Sequence, residues 1–271
     1  MNYQYIISEQ SDDGIVTVTI NDPEAKNAVN WVMNKELVAE CGRIESDPKA
    51  RVLILTGSGN IFCSGGNIKR MVAQGKSLKP PDPTIREQMF PHEADMRAVV
   101  VSLRRLSKPV IAAVNGPAIG SGLGIASGCD IRIAATTARF GWVFLRRGII
   151  PDDGSLAFIP QIIGYSRAFL WGVTGRTIDS AEALADGFVS EVVEPSRLMD
   201  RCRELAREIV EQCPPVTVQL FKLSLTESLY SEPEDAVRIT ERAQLIARGT
   251  QDHSEALKAF AEKRRPIWKG Q

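Results

Sequence analysis

The chain has 271 residues, and its 33 Lys and Arg balance 33 Asp and Glu to a formal net charge of zero. That length suffices for one large domain or for a domain with an appendage. The balanced charge leaves no bulk electrostatic case for nucleic acid or an anionic membrane, and no apolar run reaches membrane-spanning length. The five cysteines, Cys41, Cys63, Cys129, Cys202 and Cys213, form no C-x-x-C pair. An odd count without a framework points to reduced thiols in a cytoplasmic compartment. His92 and His253 are far apart and lack clustered thiols, so no zinc site is expected. Residues 1–8 lack a basic segment followed by an apolar core, and no signal peptide is expected.

In chain order, residues 15–20 alternate and predict a strand, paired with Tyr5-Ile6-Ile7 across the Asp12-Asp13-Gly14 turn. A helix is predicted over residues 31–44, with apolar positions at Val32, Leu37, Val38 and Cys41. Val52-Leu53-Ile54-Leu55-Thr56 reads as a buried strand. Residues 75–83, polar and proline-rich, read as a mobile loop over a cleft. A helical segment follows over residues 86–106, interrupted at Pro91. Residues 109–114 and 130–134 are further strands, with a small-residue helix over 122–127 between them. Strand, loop, helix and strand recur, which predicts an α/β fold with crossover connections. From about residue 196 the pattern is helical, with Ser231-x-x-Glu234 as a capping box. The expected division is 1–198 for the core and 199–271 for a helical region docked on the body or on a neighbouring subunit.

Two glycine-rich turns stand out: Phe62-Cys63-Ser64-Gly65-Gly66-Asn67-Ile68-Lys69 and Asn115-Gly116-Pro117-Ala118-Ile119-Gly120-Ser121-Gly122. Each follows an apolar strand and leads into a helical pattern, where backbone N–H groups are exposed and oxyanions are held. Together they can aim two donors at one carbonyl oxygen.

These blocks resemble the crotonase superfamily, the enoyl-CoA hydratase/isomerase family. Asp22-Pro23-Glu24-Ala25-Lys26-Asn27-Ala28 is similar to its early CoA-contacting turn. Residues 62–69 resemble its F-x-x-G-x-D-x-K motif, with Asn67 where the family has aspartate. Residues 109–130 resemble its K-P-V-I-A-A-V-N-G segment with the trailing C-D, and Phe260-Ala261-Glu262-Lys263-Arg264 its F-x-E-K-R signature. The resemblance implies a spiral of repeated ββα units with a C-terminal helical region, assembled as a homotrimer or dimer of trimers. It also implies an acyl-CoA thioester as substrate, with coenzyme A as part of that substrate, no tightly bound cofactor and no metal.

By the same resemblance, the N–H groups of Gly66 and Ser121 form an oxyanion hole for the thioester. Lys26, Ala28, Ser64, Gly65, Asn67, Ile68, Phe260 and Lys263 border coenzyme A. For Lys26 a solvated turn, and for Phe260 and Lys263 an ordinary amphipathic helix with a basic end, are the alternatives. Trp142 and Phe144 either line the acyl pocket or pack the core. Cys63 reads as a small buried filler rather than a nucleophile.

Family hydratases position water with two glutamates, and the matching positions here are Gly124 and Phe144. Neither carries a carboxylate. In several family isomerases an Asp or Glu stands at the position of Asp152, in Pro151-Asp152-Asp153-Gly154-Ser155. One such group can move a proton from C2 to C4 of a 3-enoyl thioester without activating water. Ile149, Ile150 and Phe144 are expected to desolvate Asp152, with Arg146 and Arg147 on another face. The alternative for this turn is helix capping, by Asp153 or Ser155, ahead of a helix near residues 156–163. Three activities stay open: a single-carboxylate isomerase; an atypical hydratase, hydrolase or dehalogenase-like member in which Asp152 has another partner, His92 being a conceivable one; and a non-catalytic thioester-binding homologue.

Overall fold

The computed structural model describes residues 3–66 and 96–271. Asn67, Ile68, His92, the 75–83 loop and the 86–95 start of the expected long helix lie outside the described residues. Strand β1 (Ile6–Gln10) pairs antiparallel with β2 (Ile15–Ile20), Ile6 opposite Ile20, across a turn in which Gly14 has φ +82°. Helix α1 (Trp31–Ser46) starts where the Asn30 side chain accepts from the Met33 N–H, and it buries Met33, Leu37, Cys41 and Ile44. Then follow β3 (Val52–Gly57), α2 (Met96–Arg105), β4 (Val110–Val114), β5 (Ala118–Ile119), α3 (Ser121–Gly128) and β6 (Ile131–Ala135). Next come β7 (Arg139–Gly141), α4 (Ser155–Thr174), β8 (Thr177–Asp179), α5 (Ser180–Ala185) and β9 (Glu191–Val193).

The main sheet has six strands in the order β1-β2-β3-β4-β6-β9, parallel from β2 onward. Alternation along its strands divides the core in two. Leu53, Leu55, Ala112 and Val114 face α1, α2 and α3, while Val52, Ile54, Ile111 and Ala113 face the other way. That second face is sealed by α6 (Leu198–Gln212) through Leu198, Cys202 and Ala206. The first helix after the expected boundary is therefore a layer of the sheet itself. A smaller sheet, β5-β7-β8, stands beside the main one and supports α4 through Phe140, Phe188 and Trp171, whose rings meet at 5.3 and 5.4 Å. Strands of two or three residues offer no run of alternation, so β5, β7, β8 and β9 were not predicted.

The helix expected near residues 156–163 is found; Gly164, with non-helical φ 74° and ψ 159°, divides it from a second helical stretch that carries α4 on to Thr174. One expectation fails. Ser231 makes no capping box: Pro233 takes the first helical position, which leaves Glu232 at the cap, and the Ser231 hydroxyl donates back to the Glu227 carbonyl. The remaining helices are α7 (Pro215–Ser228), α8 (Pro233–Arg248) and α9 (Gln251–Glu262). Helix α7 is pinned to the core by Lys222, which is buried and donates to Asp130 Oδ2 at 2.7 Å and to the Lys108 carbonyl at 2.9 Å. Across α7 to α9, Phe221, Leu229, Leu245, Leu257 and Phe260 all remain exposed.

Candidate active site

The two glycine turns lie side by side. Cys63 bridges Ala118 in parallel, its N–H donating to the Pro117 carbonyl (3.1 Å) and its carbonyl accepting from Ile119 (2.9 Å). Asn115 ties the same region to β3, donating to the carbonyls of Gly57 and Gly59 at 2.8 and 2.9 Å. Gly65 is required for this approach. It has φ +79°, and a Cβ there would be driven into the Ile119 carbonyl and lie 3.3 Å from the Ser121 nitrogen. Ser121 is the first residue of α3, so its N–H has no partner within the helix. Among the described residues, neither the Gly66 N–H nor the Ser121 N–H donates to another group. The geometry thus brings two unspent backbone donors to adjacent turns, one of them at a helix N-terminus.

The 22–28 turn joins them. Lys26 and Asn27 both hold positive φ (58° and 54°). The buried Asn27 amide fastens that strained turn, donating to the carbonyls of Ser58 and Ile61 at 3.0 and 2.7 Å. Ser64 then donates to the Lys26 carbonyl (3.3 Å) and Val29 to the Gly65 carbonyl (2.9 Å). Lys26, Ala28, Ser64, Gly65 and Gly66 are therefore assembled at one place, with Lys26 exposed and Ala28 buried. Phe260 and Lys263 are not brought there. Both are exposed at the end of α9, and neither makes a hydrogen bond to these loops. Cys63 is fully buried, and burial pushes its thiol up to about 12, so it stays protonated and un-nucleophilic.

The Pro151-to-Ser155 turn departs from expectation. Asp152 is exposed, and Ile149 and Ile150 are exposed as well, so the two isoleucines do not enclose it as expected. The enclosed carboxyl is Asp153, at 1% exposure. Its Oδ1 accepts from the Ser155 N–H (3.0 Å) and the Ser155 hydroxyl (2.5 Å), a local turn rather than the expected cap: the cap position falls to Gly154, with no side-chain cap bond. Its Oδ2 is buried without any partner. Burial pushes this carboxyl up from its ordinary range, with the two Ser155 bonds opposing the shift. The reason for its seat is Gly124: a Cβ there would lie 2.5 Å from Asp153 Oδ2. The carboxyl occupies the space that a side chain at position 124 would fill. Gly124→Ala should therefore cost about 1–3 kcal/mol by overpacking; urea unfolding checks this, and an unchanged midpoint would mean that the turn yields freely.

Trp142 belongs to the core. It is buried, its Nε1–H donates to the Ser155 hydroxyl at 2.9 Å, and its ring packs on Gly172 of α4. The expectation that it lines the acyl pocket gives way to its other reading, because its one polar atom is committed to holding Ser155. Phe144 lies against Gly120, where a Cβ would sit 3.9 Å from its ring, next to the Ser121 donor. Arg146 and Arg147 are exposed and turn to the carbonyls of Thr174 (2.8 Å) and Val143 (3.0 Å), away from both aspartates, as expected. The special status of Asp153 was missed. Its signal was two consecutive carboxyls after a proline at a helix start, where one must face inward. Among the described residues no group of His, Cys, Asp and Glu could hold a metal ion, and no helix is long and apolar enough to cross a membrane.

Adjoining glycine turns at the ends of a parallel sheet, with α-helices at its faces and C-terminal end, define a crotonase-fold acyl-CoA enzyme. The chain belongs to the enoyl-CoA hydratase/isomerase family, whose model matches residues 10–271. It is 37% identical over 257 residues to the short-chain-enoyl-CoA hydratase of Clostridium acetobutylicum, spanning 94% of each chain. It is 34% identical to the (E)-benzylidenesuccinyl-CoA hydratase of Thauera aromatica, over 94% of this chain and 96% of that one. The crystal structure of enoyl-CoA hydratase from Bacillus anthracis superposes with a TM-score of 0.89 at 30% identity, covering 99% of this chain and 100% of that one.

Proposed function

We propose that the protein shifts the double bond of a 3-enoyl-CoA to the 2-enoyl position. Asp152 takes a proton from C2, negative charge moves onto the thioester oxygen, and a proton is returned at C4. The Gly66 and Ser121 N–H groups meet that oxygen; one well-placed donor of this kind contributes roughly 3–4 kcal/mol at the transition state. The observation that carries this reading is the pairing of two unspent N–H donors with Phe144, an apolar ring, where a water-binding carboxylate would be needed. Lys26, Ala28, Ser64, Gly65, Asn67 and Ile68 would hold coenzyme A, which enters as part of the substrate, and no tightly bound cofactor is required. Phe260 and Lys263 would reach the nucleotide from a neighbouring subunit. The exposed apolar residues of α7 to α9 support a homotrimer or dimer of trimers built on residues 199–271. Five free thiols support a reducing, cytoplasmic compartment.

Hydration of a 2-enoyl-CoA is the second reading, favoured by the hydratase names of the relatives. Conjugated thioester absorbance separates the two: it rises from a 3-enoyl-CoA under isomerisation and falls from a 2-enoyl-CoA under hydration. Asp152→Asn should lower the isomerase rate by about 10²–10⁴-fold. A variant that kept the full rate would remove Asp152 from the base role.

A further inference from the structure

We propose that Asp153 is a second acid–base residue of this site, the one that delivers the proton to C4 while Asp152 removes the proton from C2. The inference rests on the isomerase reading above and names the group that completes it.

Three observations converge on Asp153. Its Oδ2 stands in the space of the missing side chain at position 124. Positions 121 and 124 are three residues apart on α3 and so share a face, one turn apart. The carboxyl therefore lies against α3 one turn beyond the Ser121 N–H, and we place it beside the reacting end of a thioester whose oxygen that N–H holds. Second, the group is built into place rather than left to rotate. Trp142 Nε1–H donates to the Ser155 hydroxyl, and that hydroxyl and the Ser155 N–H both donate to Asp153 Oδ1. Third, Oδ2 is sealed from water with no partner at all. Among the described residues no cation pairs with Asp153, and Asp152 is the charged group felt nearby. A naked buried anion is costly, so burial favours the protonated form of this carboxyl, and an orphaned buried polar group calls for a partner that arrives with the ligand.

The step balances. The Asp152 carboxylate takes H⁺ from C2, and the C2–H electron pair forms the dienolate, with charge on the thioester oxygen. The Asp153 O–H bond then breaks, its proton bonding to C4 as the dienolate collapses to the 2-enoyl thioester. The enzyme is left with Asp152 protonated and Asp153 ionised. Transfer of one proton between these adjacent carboxyls restores the starting state, with no oxidant, reductant or other reactant.

The test is a single turnover of 3-enoyl-CoA carrying deuterium at C2, with enzyme in excess, in ordinary water, reading the product label at C4 by mass spectrometry. Wild-type enzyme is expected to leave C4 without deuterium, because the C2 label stops on Asp152. Asp153→Asn, which keeps the shape and an acceptor for the Ser155 hydrogen bonds, should lower kcat 10- to 100-fold with KM nearly unchanged, and deuterium should then appear at C4 as Asp152 serves both carbons. Gly124→Ala, which keeps both carboxyls but displaces Oδ2, should give the same two changes in a folded protein. Substantial deuterium at C4 in the wild type would overturn the proposal by showing one shuttling base. So would wild-type rate and labelling in a folded Asp153→Asn variant. No conjugated product from wild type with any 3-enoyl-CoA would overturn the isomerase reading, and this step with it.

Discussion

Ser121→Pro is expected to lower kcat for the thioester reaction by about 10²–10³-fold, the effect of deleting one oxyanion donor, while the fold survives. Side-chain changes cannot test a backbone N–H, but proline removes it. Ser121 is the first residue of α3, a position where proline breaks no intrahelical bond and its fixed φ suits the helix. Gly120, with φ 55° and ψ −121°, precedes it and keeps its own N–H on the Gly141 carbonyl at 2.8 Å. Initial rates with an enoyl-CoA, alongside a thermal melt, decide the matter. A variant that melts and turns over like the wild type would dismiss Ser121 as a donor. A collapse of the melt would trace the loss to folding instead.

Arg132→Met should cost the most in stability, more than about 3 kcal/mol, since it strips hydrogen bonds from several buried carbonyls at once. Arg132 is buried, and burial pushes its guanidinium down to about 10, still charged at neutral pH. It donates to the carbonyls of Phe188 (2.6 Å), Cys129 (2.6 Å), Asp130 (3.3 Å) and Ala126 (3.4 Å), and it stands over the Phe188 ring at 5.4 Å. It thereby closes the C-terminal end of α3, the helix that carries Ser121 and Gly124, and rivets it to the segment before β9. A cation at that end also suits the helix dipole. Arg132→Lys should recover only part of the loss, because one ammonium cannot span the same set of carbonyls. Urea unfolding measures both variants, and a loss below about 1 kcal/mol for Arg132→Met would mean that the carbonyls find other partners.

Much of the fold was legible where hydrophobic runs were long. Val52 to Leu55, Val110 to Val114 and Ile131 to Ala135 read as strands because a parallel sheet buries both faces and needs uninterrupted apolar residues. The 62–66 and 115–122 turns were legible as a pair because glycine at such junctions answers to backbone demands, which local sequence states directly, whereas the 22–28 turn joined them only through its resemblance to the family. The two-residue β5 and three-residue β7, β8 and β9 were not, since their pairing depends on partners distant in the chain. The stretch near residues 156–163 was legible as a helix that stops at Gly164, whose φ of 74° breaks it, but the second stretch to Thr174 was not, because its place depends on packing of Ala168 and Trp171.

The turn at residues 151–155 shows where sequence stops informing. Two neighbouring aspartates have the same chemistry and the same local propensity, and nothing within five residues says which one turns inward. What decides it is Gly124, 29 residues earlier in the chain, whose missing side chain leaves room for one carboxyl, and Trp142, whose indole holds Ser155 beneath it. The amino-acid order alone was enough to mark the two glycine turns, the long apolar strands and the family. The choice between an exposed Asp152 and a buried Asp153, and between pocket and core for Trp142, belongs to tertiary packing, because side-chain direction in a turn is set by the volume left by residues that only the fold brings near.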